Sequence, residues 1–262
     1  MNLGLAGSVA VVVGGARGLG RAIAAAFADE GCQVGVWDVA ADVTTAAAEL
    51  GGTGWRVDVA DPAAVRAAAA ETCAQFGAVD HVVFAVGIGS GKFGFPFWEL
   101  DPADWDRVLR VNLVGAAAVA HSFAPKLAER KRGTLLFISS VAGQNGSQTD
   151  PPYSASKAGL INFAQCAAKD LAPFGVRVNC LCPGMVKTPL NRSVWQAWWD
   201  RQPPEARVEY DTWAAEKIAK LVPLNRWQTA EDIAAMAVFL ASDRAANVTG
   251  QTVNVDGGYV MR

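Results

Sequence analysis

The stretch "VAVVVGGARGLGRAIAAAFADEG", Val9 to Gly31, decides the fold. Five consecutive apolar residues, Val9 to Val13, show no polar alternation, as expected for a parallel strand covered on both faces. Gly14, Gly18 and Gly20 follow in a G-x-x-x-G-x-G pattern, and an Ala-rich helix from Leu19 to Glu30 starts inside the loop. A glycine-rich turn between a strand and a helix lets backbone approach a ligand, and the exposed amides of the helix start attract a diphosphate. A plain tight turn would use the same residues.

Working outward, short β-branched runs alternate with helical stretches along the whole chain. Strands are expected at Gln33–Trp37, Gly54–Val57, His81–Val86, Thr134–Ser139, Val176–Leu181 and Thr252–Val255. Helices fall around Ala41–Leu50, Pro62–Phe76, Pro102 to about Arg130, Pro151–Ala172, Leu190–Leu221 and Ala230–Ala241. About seven strands with intervening helices predict a three-layer, doubly wound α/β fold of the Rossmann type with a parallel sheet. With no Pro- or Ser-rich linker, residues 1–262 read as one dinucleotide-binding catalytic domain with a substrate lid at about 189–226.

Composition narrows the function. At 52% hydrophobic and 18% charged, the chain has material for a large core and too few charges for disorder. A formal net charge of -2 without a Lys/Arg run argues against nucleic acid or an anionic membrane as partner. No stretch of 18 uninterrupted apolar residues occurs, so no membrane span is expected. Five cysteines without a CxxC pair, and no basic segment before the first apolar run, suit free thiols in a reducing cytoplasm. With His81 and His121 the only histidines, and Cys180 and Cys182 readable as alternate residues of one strand, no metal site is expected.

Ligands of such sheets bind at the carboxyl ends of the strands. Eighteen residues beyond Gly20 the second strand ends in Asp38, followed by Val39. A carboxylate there can accept both ribose hydroxyls of an adenosine, and would repel a 2′-phosphate about 4 Å away by roughly 4 kcal/mol per unit charge at an effective dielectric near 20. That favours NAD over NADP, although Arg17 could grip such a phosphate. Asp58 and Val59, after the third strand, suit an adenine pocket, or a turn before a helix capped by Asp61.

In "DPPYSASKAG", Asp150 to Gly159, Asp150 can cap a helix opened by Pro151 and Pro152, and that helix sets Tyr153 and Lys157 one turn apart. A phenol base needs its pKa lowered by about three units, roughly 4 kcal/mol, to work near neutrality. A nearby ammonium and a cationic nicotinamide could supply that. Upstream, "TLLFISS" delivers Ser139 and Ser140 to the same sheet edge, where a hydroxyl could polarise a carbonyl.

The joint placement of the Gly-rich loop, the serine and the Tyr-x-x-x-Lys resembles the short-chain dehydrogenase/reductase family, from about Ser8 to Val260. The resemblance implies a catalytic set of Asn112, Ser140, Tyr153 and Lys157: Tyr153 exchanges the hydroxyl proton, Ser140 holds the substrate oxygen, Lys157 binds the nicotinamide ribose and Asn112 holds a water. It places the cofactor on Gly14, Arg17, Gly18, Leu19, Gly20, Asp38, Val39, Asp58, Val59, Ala85, Gly87, Tyr153, Lys157, Pro183, Gly184, Val186 and Thr188. It implies hydride transfer between NAD(H) and a secondary alcohol or ketone, and a homotetramer built through two long helices. Reduction of a 3-oxoacyl thioester with NADPH, oxidation of a sugar or polyol, and a dinucleotide-sensing regulator are the alternatives.

Two places depart from the family. Where it has Asn-Asn-Ala-Gly, this chain has Phe84-Ala85-Val86-Gly87, and Val13 replaces a threonine before the loop. Polar braces are lost and no catalytic group is. In the expected lid, Trp195, Trp198 and Trp199 share a helix face. They suit lid packing, or a wall for an aromatic or cyclic substrate beside Ser140, with Arg192 or Arg201 anchoring an acid group. Phe93, Phe95, Phe97 and Trp98 could close the pocket opposite.

Overall fold

In a computed structural model, residues 2–147 and 149–261 are described. Seven strands form one parallel sheet: β1 (Val9–Val13), β2 (Gln33–Asp38), β3 (Thr53–Arg56), β4 (His81–Phe84), β5 (Gly133–Ile138), β6 (Val176–Pro183) and β7 (Thr252–Val255). Their spatial order is β3-β2-β1-β4-β5-β6-β7. The chain runs outward from β1 in one direction and returns to β4 on its other side. A crevice opens at that reversal, above the ends of β1 and β4.

Helices cover both faces: α1 (Gly18–Asp29), α2 (Val43–Ala48), α3 (Pro62–Phe76), α4 (Pro102–Leu109), α5 (Gly115–Arg130), α6 (Pro151–Leu171), α7 (Pro189–Trp199), α8 (Tyr210–Leu221) and α9 (Ala230–Ala241). Strand β1 shows why its sequence does not alternate. Val9, Val11 and Val13 point into a core shared with Phe123 of α5 and Leu160 of α6, while Ala10 and Val12 point into a second core with Ile23 of α1 and Ile233 of α9. Both faces are dry, so every position is apolar.

The expected helix Pro102–Arg130 is continuous but contains a π turn, Arg110–Val114, in which the Gly115 amide donates to the Arg110 carbonyl. By length and composition this helix could cross a membrane. Here it is a layer of the sandwich, with Val119, Phe123 and Leu127 buried in the core under the sheet. The expected helical region Leu190–Leu221 resolves into α7 and α8, joined through a short 3-10 turn at Pro204–Ala206.

At the two departures from the pattern that the sequence resembles, the β1–β4 ladder continues unbroken. The Ala85 amide donates to the Val13 carbonyl at 2.8 Å. A Cβ on Gly14 would stand 3.0 Å from the Val86 backbone nitrogen, so the loop and the end of β4 pack main chain against main chain. Val13 is fully buried.

Candidate active site

The phosphate-type loop is built by close approach. Gly14 and Gly15 both donate their amides to the Trp37 carbonyl, which draws the loop onto the end of β2. A Cβ on Gly20 would overlap the Gly14 carbonyl, so only glycine lets α1 start this near the strand. Arg17 occupies the N-cap position without a side-chain cap, leaving the first-turn amides of α1 to an external acceptor.

Asp38 does more than the sequence suggests. One carboxylate oxygen accepts from the Ala16 amide at 3.1 Å and the other from the Ala40 amide at 3.0 Å. The same side chain lines the cavity beside the loop. It therefore ties the Gly-rich loop to the end of β2 and carries the negative charge that faces a ligand there. Asp58 and Val59 line the same cavity, with the Asp58 carboxylate also accepting from the Ala60 amide.

Across the crevice, β5 hands over to Ser139 and Ser140, and the two hydroxyls separate in role. Ser139 is buried and donates to the Lys157 carbonyl at 2.9 Å. Ser140 lines the cavity and its hydroxyl meets the Tyr153 phenol. Asp150 caps α6 through the Tyr153 amide, and its other oxygen accepts from the Ser90 amide at 2.9 Å. The cap thus pins the helix to the loop after β4. One turn on, the Lys157 ammonium lies 5.6 Å from the Tyr153 ring centroid and donates to the Ile138 carbonyl at 2.8 Å and the Val86 carbonyl at 3.2 Å. A Cβ on Gly87 would stand 3.1 Å from that ammonium. Glycine keeps this approach open.

Burial acts on both partners in opposite directions. Enclosure pushes the Tyr153 phenol up to about 12, the Ser140 contact opposing it and the Asp150 charge adding to it. Burial brings Lys157 down to about 8, with Cys180 and Cys182 opposing. The chain by itself therefore keeps the phenol protonated and holds an ammonium that is easily lost above that pH. A further positive charge is needed beside the phenol for it to act as a base.

Of the expected catalytic set, Ser140, Tyr153 and Lys157 meet in one cavity and Asn112 stands behind its wall. The Asn112 side chain is fully buried at the π turn, accepts from the Ile88 amide, and donates to the Ile88 carbonyl and the Ser156 hydroxyl, each at 2.9 Å. It clamps the loop after β4 to α6: both of its amide hydrogens are donated, and one lone pair of its oxygen stays open.

The lid differs more from the expectation. Trp195 is buried and donates its indole N–H to the Val208 carbonyl at 3.0 Å, and its ring packs on Trp199 and Tyr210. Trp198 packs on Trp213. The stripe on α7 faces α8, forming a small aromatic core for the lid, and none of the three tryptophans lines the cavity. Val194 and Trp213 do instead. Arg192 lies over the Trp195 and Tyr210 rings, Arg201 donates to the Phe93 carbonyl and covers the Phe95 ring, and neither lines the cavity. Phe93 lines the cavity, whereas Phe97 and Trp98 stand outside it, exposed. Sequence reading missed Trp213, Lys217 and Leu221, which line the cavity from one face of α8, and Tyr259. The i, i+4, i+8 spacing of the first three was the available signal.

One continuous cavity of about 710 Å³ joins the loop, Asp38, Tyr153 and the lid. It runs past Pro183, Gly184, Val186 and Thr188 after β6, and past Ala85 and Gly87 after β4. Its volume lies within the roughly 300–1,000 Å³ typical of cofactor and small-ligand sites. The glycine cradle, the uncapped helix start and the Asp38 carboxylate fit a nicotinamide dinucleotide. Among the described residues no His/Cys/Asp/Glu cluster could hold a metal ion.

Fold and site together define a dinucleotide-binding oxidoreductase. A model described as Enoyl-(Acyl carrier protein) reductase matches residues 14–260. The chain is 36% identical to acetoacetyl-CoA reductase of Synechocystis sp., covering 99% of each. It is 35% identical to cis-4-hydroxycyclohexanecarboxylate dehydrogenase of Sinomonas cyclohexanicum, again over 99% of each, and 34% identical to D-threitol dehydrogenase of Mycolicibacterium smegmatis, over 98% of this chain and 95% of the relative. The chain belongs to the short-chain dehydrogenase/reductase family.

Proposed function

We propose that this protein is an NAD-dependent dehydrogenase that interconverts a secondary alcohol, cyclic in preference, and its ketone. The observation that carries the reading is the convergence of Ser140, Tyr153 and Lys157 in the cavity that also holds Asp38. The glycine loop, Asp38 and Lys157 would hold a nicotinamide dinucleotide, which when bound would supply the hydride acceptor and, in its oxidised form, positive charge. Ser140 donates to the substrate oxygen, Tyr153 takes the hydroxyl proton, and the Lys157 ammonium stabilises the phenolate that this requires.

The apolar walls given by Phe93, Val194, Leu190 and Trp213 favour a ring-sized group next to the reacting carbon. A ring alcohol bearing a carboxylate, the substrate in the name of the Sinomonas relative, falls in this class. Reduction of a 3-oxoacyl thioester, the activity in the name of the Synechocystis relative, is the second reading, and the Asp38 charge disfavours the NADPH it would draw on. Five cysteines, all unpaired, suit a cytoplasmic enzyme. A homotetramer built through α4–α5 and α6 belongs to the same reading, supported by the exposed Val114 on that helix, and sedimentation velocity distinguishes it from a monomer.

The test is Tyr153→Phe. Alcohol-dependent NADH formation should fall by about 10²–10⁴-fold while NAD affinity holds. Turnover within a few fold of the parent enzyme sinks the assignment.

A further inference from the structure

Among the described residues, one cation of the lid, Lys217, lines the cavity, and its neighbours do not. Lys187 is paired with Asp211 at 2.8 Å, Arg207 donates to the Gln202 carbonyl, Arg201 donates to the Phe93 carbonyl, and Arg192 lies between two rings. Lys217 lines the cavity, is partly withdrawn from solvent, and among the described residues has no hydrogen-bond or ion-pair partner. Its ammonium stands 4.1 Å from the Trp213 ring centroid. A face of indole orients an ammonium and contributes a weak attraction, but it leaves the three N–H donors unmatched.

The other cations of the cavity differ from Lys217, one in its partners and one in its exposure. Lys157 is held by two carbonyls, and Arg17 is exposed at the start of α1. The acids that line the cavity are elsewhere employed: Asp38 and Asp58 on the adenosine-side loops, Asp150 on the Ser90 and Tyr153 amides. No charge within the lid offsets Lys217, and burial holds its ammonium below the ordinary lysine range. A partly dehydrated donor without an acceptor is costly, and an acid group brought by a ligand removes the cost.

From this arrangement, and resting on the alcohol dehydrogenase reading above, we propose that Lys217 is a specificity-determining residue that receives a carboxylate on the substrate, making the substrate class cyclic hydroxy acids and their oxo acids. Trp213 covers the ring and aims the ammonium, and Leu221 continues the same face of α8. A neutral alcohol of the same shape leaves the lysine unmatched and is rejected for that reason.

The experiment pairs acid and neutral probes. With 4-hydroxycyclohexanecarboxylate and its carboxamide as alcohols, the enzyme should prefer the acid by about 10- to 100-fold in kcat/KM. Lys217→Met should erase that preference by raising KM for the acid and lowering it for the carboxamide, with NAD affinity unchanged, and Lys217→Arg should restore most of it. Calorimetric titration of the NAD-loaded enzyme with cyclohexanecarboxylate, cyclohexanecarboxamide and cyclohexyl phosphate reads the contact without turnover. Acid-selective binding lost in Lys217→Met supports the proposal even if no alcohol is oxidised, in which case the dehydrogenase reading alone fails. Equal binding of acid and amide, or an acid preference that survives Lys217→Met, overturns it. Selectivity for the phosphate over the carboxylate overturns the hydroxy acid class. Weakened NAD binding in Lys217→Met overturns it too, by assigning the lysine to the dinucleotide.

Discussion

The two sides of the cavity are made by different means. On the sheet side, position comes from backbone: Gly14 and Gly15 on the Trp37 carbonyl, Lys157 on two carbonyls, Asp38 on two amides. On the lid side, position comes from rings, with Trp195, Trp199, Tyr210 and Trp213 packed against one another between α7 and α8. Backbone bonds fix a group within tenths of an ångström and tolerate little change of residue. Ring contacts tolerate exchange of shape. The groups proposed to transfer the proton sit on the first kind of support and those proposed to face the substrate on the second, an arrangement that would hold the chemistry constant while selectivity drifts.

That contrast can be broken most directly at Trp195. Trp195→Ala should cost the lid about 3–5 kcal/mol of local stability. Hydrogen exchange in α7 and α8 should quicken by orders of magnitude while β1, β4 and β5 keep their protection. If the sheet loosens equally, lid and body are one cooperative unit and the division fails.

A pH titration sharpens the other side. His81 is buried in β4, stacks on Phe27 and shares a hydrogen bond with Thr134, and burial brings its pKa down to about 4. The unfolded chain takes up the proton near pH 6.5, so this term is fully present above that pH and is lost as pH falls toward 4. Denaturant unfolding should show about 3 kcal/mol of stability disappearing across that window. His81→Gln should flatten it. An unchanged slope in the variant would remove His81 from the account.

The smallest expected effect separates charge from bracing at Asp38. Asp38→Asn keeps an acceptor for one loop amide and removes the charge, so the preference for NAD over NADP should shrink by about 10- to 100-fold, with about 1 kcal/mol of stability lost at the amide left unmatched. A large loss of stability with the preference intact would mean that the carboxylate serves the loop and not the cofactor.

The sequence made the sheet side legible because its constraints are local. A buried strand cannot alternate, a close turn needs glycine at Gly20, and a proline-opened helix places Tyr153 and Lys157 a turn apart. The lid was less legible because periodicity shows that Trp195, Trp198 and Trp199 share a face but not what that face meets. It meets α8, and the residues that reach the cavity from α8 are Trp213, Lys217 and Leu221. Asn112 is the intermediate case. Its position was readable from its motif, but the engagement of its side chain with Ile88 and Ser156 depends on the π turn, which no local pattern announced.

That turn makes the helix Pro102–Arg130 sensitive to length in a way that its composition is not. A π turn accommodates one residue more than the regular spiral, and each residue of an α-helix advances the azimuth by about 100°. Deleting a single residue between Arg110 and Val114 would let the spiral close up and swing Asn112 off the Ile88 loop, with no change in the chemistry of any side chain. The clamp behind the active site is thus written as a count of residues, and insertions or deletions are the changes it resists least.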